Sequence, residues 1–544
     1  MDPLVSLSRI LLVGTVLLSV GIVHRVARPE GEWGRRLRSR FVLGVPWGTL
    51  LTILLVVAVY LFVQGALGNW YRPVVIPFRS WSYFYPLGIL TSGLAHSGPG
   101  HLLGNLFGTV LFGTLAEYAW SHFPTERGSS SFGSWGTNPF VRILAVPVVA
   151  VLLAVVTGLF ALGPVIGFSG VVFAFAGFAL VRYPIVTLVF VVAGDLLNLG
   201  YSALNSPVFT ASGSTRYVTP GWSNIAVQGH ALGIFIGIVL AIFLFRRRDE
   251  LPSPGRIWLG TLGYAAAQGL WALYLFEGGD TYVLFRAIGV AAVFALAALV
   301  TLAAKSSNRP LVPQLDTDLS QRQVAVTALL AVLAVIGGIA VPYNLLVVDD
   351  VATPDESVEI RDYTVFYGEG VPDQYVGAYD LPIYNASGVT TSGVIVVNPD
   401  RQVWQTVVPA QRLANGYEQS VRVGGIGWRD TVVAQRTQWN VVGNQSVYTV
   451  RLNHGGESVL AYASDASRAS PTIDGRNVSV VATHDGFQLS VSRAGTELGR
   501  ISIPAPNSTR TIGGLTIVNQ EGTLLAVNGE TRVPVASRGS ARDR

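Results

Sequence analysis

Ten long apolar stretches fill the first 348 residues of this 544-residue chain, and almost none follow. They run over 4–26, 46–67, 101–120, 139–162, 168–182, 184–202, 224–246, 256–278, 281–304 and 323–347. A helix needs roughly 20 apolar residues to cross a bilayer; most of the ten reach that length, and 168–182 does not. Half of the residues are hydrophobic and only 13% are charged, too apolar a balance for an ordinary soluble protein. The expected fold is therefore an all-α polytopic membrane protein of about ten spans, followed by a domain of soluble character. The stretch at 4–26 has no basic segment before it and no small-residue cleavage site after it, so it reads as a retained span. The chain contains no cysteine, which excludes disulfides, thiol catalysis and Cys-type zinc sites.

The net charge of +5 does not point to nucleic acid. The arginines cluster at the ends of the apolar stretches, where they orient a membrane protein. Arg25, Arg28, Arg35, Arg36, Arg38 and Arg40 separate the first two stretches; Arg246, Arg247 and Arg248 follow the seventh; Lys305, Arg309 and Arg322 precede the tenth. Ten crossings put all three groups on one side, which the positive-inside rule makes the cytoplasm. The expectation is a multi-pass protein of the cell membrane, with its N-terminus and C-terminal domain outside.

Residues 349–544 read as an all-β extracytoplasmic domain. Alternating runs such as 393–397, 446–450 and 478–482 are separated by Gly, Asn, Asp and Pro turns, the pattern of one sandwich or two small ones. Four Asn-x-Ser/Thr sequons, at Asn385, Asn444, Asn477 and Asn507, fit an external location. His454 and His484 read as solvated, isolated residues without catalytic context.

Polar residues inside apolar stretches are costly and mark functional sites by default. Three groups stand out: His96, His101 and Asn105; Gly167, Ser169 and Gly170; and His230, Gly233 and Gly237. Ser169 lies 13 residues before Arg182, about 20 Å along a helix, so its helix starts well inside a hydrocarbon core about 30 Å thick. His230 lies about 24 Å from Arg246, and Asn105 about 22 Å from Trp120. If Trp120, Arg182 and Arg246 mark one surface, Asn105, Ser169 and His230 share one depth. The preceding segment, 163–167, must then dip into the membrane, which is tolerated only around a cavity or within protein. Gly233 with Gly237, Gly104 with Gly108, and Gly170 are expected to let the helices approach.

The chemistry these residues permit is acyl transfer. A histidine base activates a serine hydroxyl and returns the proton to a leaving amine. The amides at the start of the serine helix lack intrahelical acceptors and can face an oxyanion, joined by Asn105 and His101. No acid lies at comparable depth on the His230 helix, so the expectation is a Ser-His dyad, Ser169 with His230.

The motifs HxxxxHxxxN (His96, His101, Asn105), GxSG (Gly167, Ser169, Gly170) and HxxGxxxG (His230, Gly233, Gly237) occur in the order found in the rhomboid intramembrane serine proteases, which this chain resembles over about residues 46–246. The resemblance implies a six-helix core with Ser169 as nucleophile, His230 as general base, and Asn105, His101 and the Ser169 amide as oxyanion hole. It places Phe173 against the catalytic histidine, and Glu117 and His96 in structural positions. It implies transmembrane protein substrates within the lipid bilayer, and no metal or organic cofactor. The corresponding division is an extra N-terminal helix and basic cytoplasmic loop (1–45), a protease core (46–250), three additional transmembrane helices (251–348) and the β domain (349–544). One departure concerns the first external loop: Leu87-Gly88 stand where the family carries a Trp-Arg pair, so loop 68–95, with Trp70, Arg72, Phe84 and Tyr85, is expected to be built differently.

Two other readings compete. A non-proteolytic rhomboid-like protein would bind membrane clients, but such relatives typically lack one of the two catalytic residues. A transporter with an external sensor would use Asp195 and Arg286, which lie within apolar stretches, as an ion path. The β domain reads as a module for recruiting substrates or contacting the envelope.

Overall fold

The computed structural model describes every residue except 1–2, 28–31, 125–126, 208–225, 279–280, 308, 310–319, 346, 349–352, 375–379, 382–383, 386–389, 417, 444 and 540–544. Arg28 and the sequon residue Asn444 thus lie outside the described residues. The chain divides into two compact units, Met1–Leu346 and Val347–Arg544.

The first unit is helical. Its elements are α1 (Pro3–Ala27), α2 (Glu32–Arg40), α3 (Trp47–Ala58, extended by a π turn Val59–Val63), α4 (Pro86–Ser92), α5 (Pro99–Gly108), α6 (Thr114–Trp120), α7 (Pro139–Phe160), α8 (Ser169–Arg182), α9 (Pro184–Asn205), α10 (Val227–Arg247), α11 (Pro254–Ala267), α12 (Arg286–Lys305), α13 (Gln321–Gly338) and α14 (Ala340–Asn344). A π turn, Thr109–Gly113, joins α5 to α6, so the stretch expected from 101 is one continuous helix starting at Pro99. Local sequence explains the starts. Proline occupies the first turn of α5, α7, α9 and α11, where its missing N–H costs nothing. Asn138 caps α7 through the Phe140 and Val141 amides, and Ser320 forms a capping box with Gln323 on α13.

Among the described residues five helices are long and apolar enough to cross a membrane: Pro139–Phe160, Pro184–Asn205, Val227–Arg247, Arg286–Lys305 and Gln321–Asn344. Ser6–Ile22, Trp47–Val63 and Ser169–Arg182 are shorter apolar helices. The expected span at 256–278 needs correction. Its helix stops at Ala267, and β1 (Tyr274–Gly278) pairs antiparallel with β2 (Thr281–Leu284). Gly269, at φ +69°, ends the helix, with its own N–H bonded to Ala266 O and that of Leu270 to Ala265 O. Beyond it, aromatic and β-branched residues flank Gly278 and Gly279, a hairpin signal stronger than the apolar count.

The direction of the chain is nevertheless preserved. Arg246, at the end of α10, donates to Ala303 O and Ser306 O at the end of α12. Lys305 reaches Leu251 O before α11 (3.5 Å), while Gly289, early in α12, lies against the Trp271 carbonyl. Thus α11 and α12 run antiparallel, and α12 returns to the end where α10 finished.

The core of this unit centres on α8, whose residues Val171–Gly177 and Ala179–Val181 are all buried. The closest packing is against α10. A Cβ at Gly233 would sit 2.1 Å from Gly170 O, and one at Gly237 would sit 2.0 Å from Ala174 O. Gly170 itself presses its Cα side on Thr157 of α7. Gly108 meets Val172, but a Cβ on Gly104 would meet nothing within 4 Å among the described residues, so Gly104 is not the helix contact expected of it.

Residues 347–544 are β-rich. Strands 358–360, 363–372, 390–398 and 403–409 form one antiparallel sheet in that order. A second, eight-stranded sheet carries 418–425, 428–441, 446–454, 457–463 and the four strands between 508 and 538, and a third runs through 467–468, 476–483, 486–493 and 496–502. Val478, Val480, Leu489 and Val491 of the third sheet share a buried core with Val447, Leu515, Ile517 and Leu524 of the second. A 3-10 turn, Pro399–Arg401, and a short α-helix, Ala410–Gly416, interrupt the strands. His454 is not isolated: its Nε2 lies 3.0 Å from Asp430. His484 is exposed beside Asp485.

Candidate active site

Ser169 is the first residue of α8, after a loop closed by Gly163 (φ +89°) and Gly167 (φ +130°). That loop is held at several points. Gly167 N–H donates to Ser92 O, Ser80 N–H to Val165 O, and Arg79 Nη1 to Pro164 O. Gly167 is obligatory for a second reason: a Cβ there would lie 2.5 Å from His101 Cε1 and 2.6 Å from His101 Nε2.

His230 stands one turn into α10, and its Nε2 lies 3.0 Å from Ser169 Oγ. Phe173, one turn along α8 from Ser169, stacks on the imidazole with centroids 4.1 Å apart and an interplanar angle of 11°. His230 Nδ1 has no hydrogen-bond partner among the described residues, so none of them is an acid orienting the ring. Packing by Phe173 fills that role.

His101 and Asn105 project from α5 toward the same place. His101 Nδ1 is 3.1 Å from Ser97 Oγ, leaving Nε2 beside Gly167. Asn105 is buried, its Nδ2 has no partner among the described residues, and that atom would be 3.6 Å from a Cβ on Gly167. The N–H groups of Val171 and Val172 both turn back to Phe168 O, while the first amides of α8 have no intrahelical acceptor. His101, Asn105, Ser169 and His230 line one cavity of about 440 Å³. Asn105, Ser169 and His230, which counting from the basic ends sets at one depth, thus converge.

The reference points of that count also meet at one end of the unit. Arg248 donates to Trp120 O (3.3 Å), Arg182 pairs with Glu250 (3.4 Å), and the Arg142 guanidinium lies 3.6 Å over the Trp120 ring while bonding Ser121 O and Trp120 O.

Two further motif residues have structural surroundings. Glu117 is buried and accepts from Gly48 N–H, Thr49 N–H and Thr49 Oγ1, with His122 Nε2 at 2.6 Å, so it ties α6 to the start of α3. His96 is buried edge-on to His101, its backbone locked to the Gln64 amide.

Several residues escaped the sequence reading. In loop 68–95 it is Arg79 and Trp81 that hold the fold, Trp81 fully buried with its Nε1 bonded to Ile76 O; Phe84 is exposed. Gly88 is required because a Cβ would lie 2.1 Å from Arg79 O. Gln228 donates to Phe160 O and Ile336 O and accepts from Leu162 N–H. Asn344, fully buried, donates to Leu159 O and Ala161 O. The usable signal was an amide side chain at the end of an apolar helix, where free carbonyls need donors.

Residues 84–247 match the family model of the Rhomboid domain. No curated protein and no solved structure matches the chain. The matched segment carries all three polar motifs and lies in a unit with several helices apolar enough to cross a membrane, so the chain is a multi-pass membrane protein with a segment that matches the Rhomboid domain.

Proposed function

We propose that the chain is an intramembrane serine endopeptidase that hydrolyses peptide bonds of transmembrane substrates. The observation that carries this reading is the 3.0 Å approach of His230 Nε2 to Ser169 Oγ under the stacked Phe173 ring. Ser169 gives its proton to Nε2 as its oxygen adds to the scissile carbonyl. The charge that develops on the carbonyl oxygen faces the Asn105 amide, His101 and the Ser169 backbone N–H. His230 then protonates the departing amine, and a water follows the same route to release the acyl group. Residues 46–250 form the protease core in this reading. Residues 251–348 extend it, and 349–544 form an extracytoplasmic module that recruits substrates.

The test is labelling of the detergent-solubilised full chain by a fluorophosphonate, with cleavage of a transmembrane substrate in proteoliposomes. Wild type is expected to label and cleave, and both Ser169→Ala and His230→Ala to lose cleavage. Equal labelling of Ser169→Ala, or full proteolysis by His230→Ala, would sink the assignment.

A further inference from the structure

A second cavity, of about 680 Å³, lies at the opposite end of α10 from His230. Four cations line it: Arg246 and Arg247 in the last turn of α10, Lys305 at the end of α12 and Arg322 in the first turn of α13. Asp249 is the one acidic residue in the lining, which leaves an excess of three positive charges. No described residue forms an ion pair with any of the four cations. Because α12 and α13 follow residue 247, much of this cavity is built by chain outside the Rhomboid match.

The Arg246 guanidinium is held by backbone carbonyls rather than by an acid. Its Nη1 donates to Ala303 O (2.6 Å) and its Nη2 to Ser306 O (2.8 Å), which fixes the charge in position without cancelling it. Arg247 lies over the Phe243 ring at 3.9 Å. The depth is that of a bilayer surface. The helices that carry the four cations are each long and apolar enough to cross a membrane, and the cations stand at their ends. Trp120, whose carbonyl accepts from Arg248 at this same end, is a residue type that favours the membrane interface. A turn or two inward from the cations the lining turns apolar, with Phe243, Val326 and Leu330. Phe243 and Leu330 are 59% and 45% exposed, so the cavity opens sideways onto a surface that a bilayer would cover. Basic pockets between transmembrane helices bind lipid headgroups. A free anion would use the cations alone; a phospholipid also uses the apolar wall and the lateral opening.

We propose that this cavity binds one anionic phospholipid, with its phosphate and headgroup on Arg246, Arg247, Lys305 and Arg322 and the start of an acyl chain along Phe243, Val326 and Leu330. The lipid ties α10 to α12 and α13 at the end remote from His230. The inference does not depend on Ser169 being a nucleophile.

The test is native mass spectrometry of the full chain, titrated in micelles with dioleoylphosphatidylglycerol or dioleoylphosphatidylcholine, which share their acyl chains and differ in headgroup charge. The readout is the ratio of the binding constants for the first lipid retained. Wild type is expected to favour phosphatidylglycerol by about tenfold or more. Lys305→Gln with Arg322→Gln removes two exposed charges and spares the Arg246 bonds; it should lower the ratio about threefold or more. Lys305→Arg with Arg322→Lys should keep it. Arg38→Gln with Arg256→Gln, two exposed arginines outside the cavity, should leave it unchanged. Excess inorganic phosphate should not displace the lipid. A wild-type ratio near one, or an unchanged ratio in the Lys305 and Arg322 double variant, would overturn the inference. An equal fall in the Arg38 and Arg256 double variant would also overturn it, by assigning the preference to overall charge. Displacement by inorganic phosphate would do the same, by making the cavity a site for a free anion.

Discussion

Asn344 offers a quantitative test of whether the helices after the Rhomboid match belong to its framework. Its side chain is fully buried, and Nδ2 donates to Leu159 O (3.0 Å) and Ala161 O (3.1 Å) at the end of α7. Its backbone carbonyl accepts from Tyr83 N–H and Ser82 Oγ in the first loop. Asn344→Ala removes the two side-chain bonds; Leu159 O keeps the bond from the Tyr83 hydroxyl (2.8 Å), while Ala161 O loses its side-chain donor. At about 0.6 kcal/mol per bond, the average inside membrane proteins, the loss starts near 1 kcal/mol. An unsatisfied buried acceptor costs about 1–3 kcal/mol, which raises the expected total to about 1–3 kcal/mol once local relaxation is allowed. Asn344→Asp keeps the size but sets a carboxylate against two carbonyls, so it should destabilise more than the alanine variant. The assay is denaturation of the full chain in mixed micelles by SDS, followed by tryptophan fluorescence, together with the rate of fluorophosphonate labelling. Labelling should slow, because residues 80–83 and 159–165 flank the loop that carries Gly167. A loss below about 0.5 kcal/mol for Asn344→Ala, or an aspartate variant more stable than the alanine one, would refute the reasoning.

Two other predictions follow from single contacts. Gly167→Ala meets both a φ of +130° and the His101 ring at 2.5 Å, so it should slow labelling of Ser169 by about tenfold or more while the chain still folds; an unchanged rate would remove the constraint inferred for this loop. In the β-rich unit, the hydrogen bond from His454, followed by that from the Thr431 amide, holds the Asp430 carboxyl below its ordinary value of 3.8. A lowered carboxyl pKa stabilises the fold above the unfolded value and loses that contribution as pH falls through the folded one. Asp430→Asn should therefore unfold earlier than wild type at pH 6, and the gap should narrow below pH 3.8; a gap that does not change with pH would contradict this.

Sequence reading succeeded where one local rule dominated. Apolar length located most helices. It failed at 256–278 because hydropathy counts residues without asking what Gly269, at positive φ, does to the backbone. The β strands at 390–398, 446–454 and 476–483 were legible from alternation, whereas the pairing of 428–441 with 531–538 joins segments about a hundred residues apart and has no local signal.

The sequence by itself determined that this chain is a multi-span membrane protein with a β-rich C-terminal unit. It also named Asn105, Ser169 and His230, because polar residues in apolar helices stand out and the helical rise measures their depth. Depth is one coordinate. Only the tertiary structure decided the other two: that Ser169 Oγ and His230 Nε2 meet at 3.0 Å, which the close contact of Gly233 with the Gly170 backbone permits. It alone gathered Arg246, Arg247, Lys305 and Arg322 around one cavity. Which faces of two helices look at each other depends on packing across the whole bundle, and no stretch of sequence records that on its own.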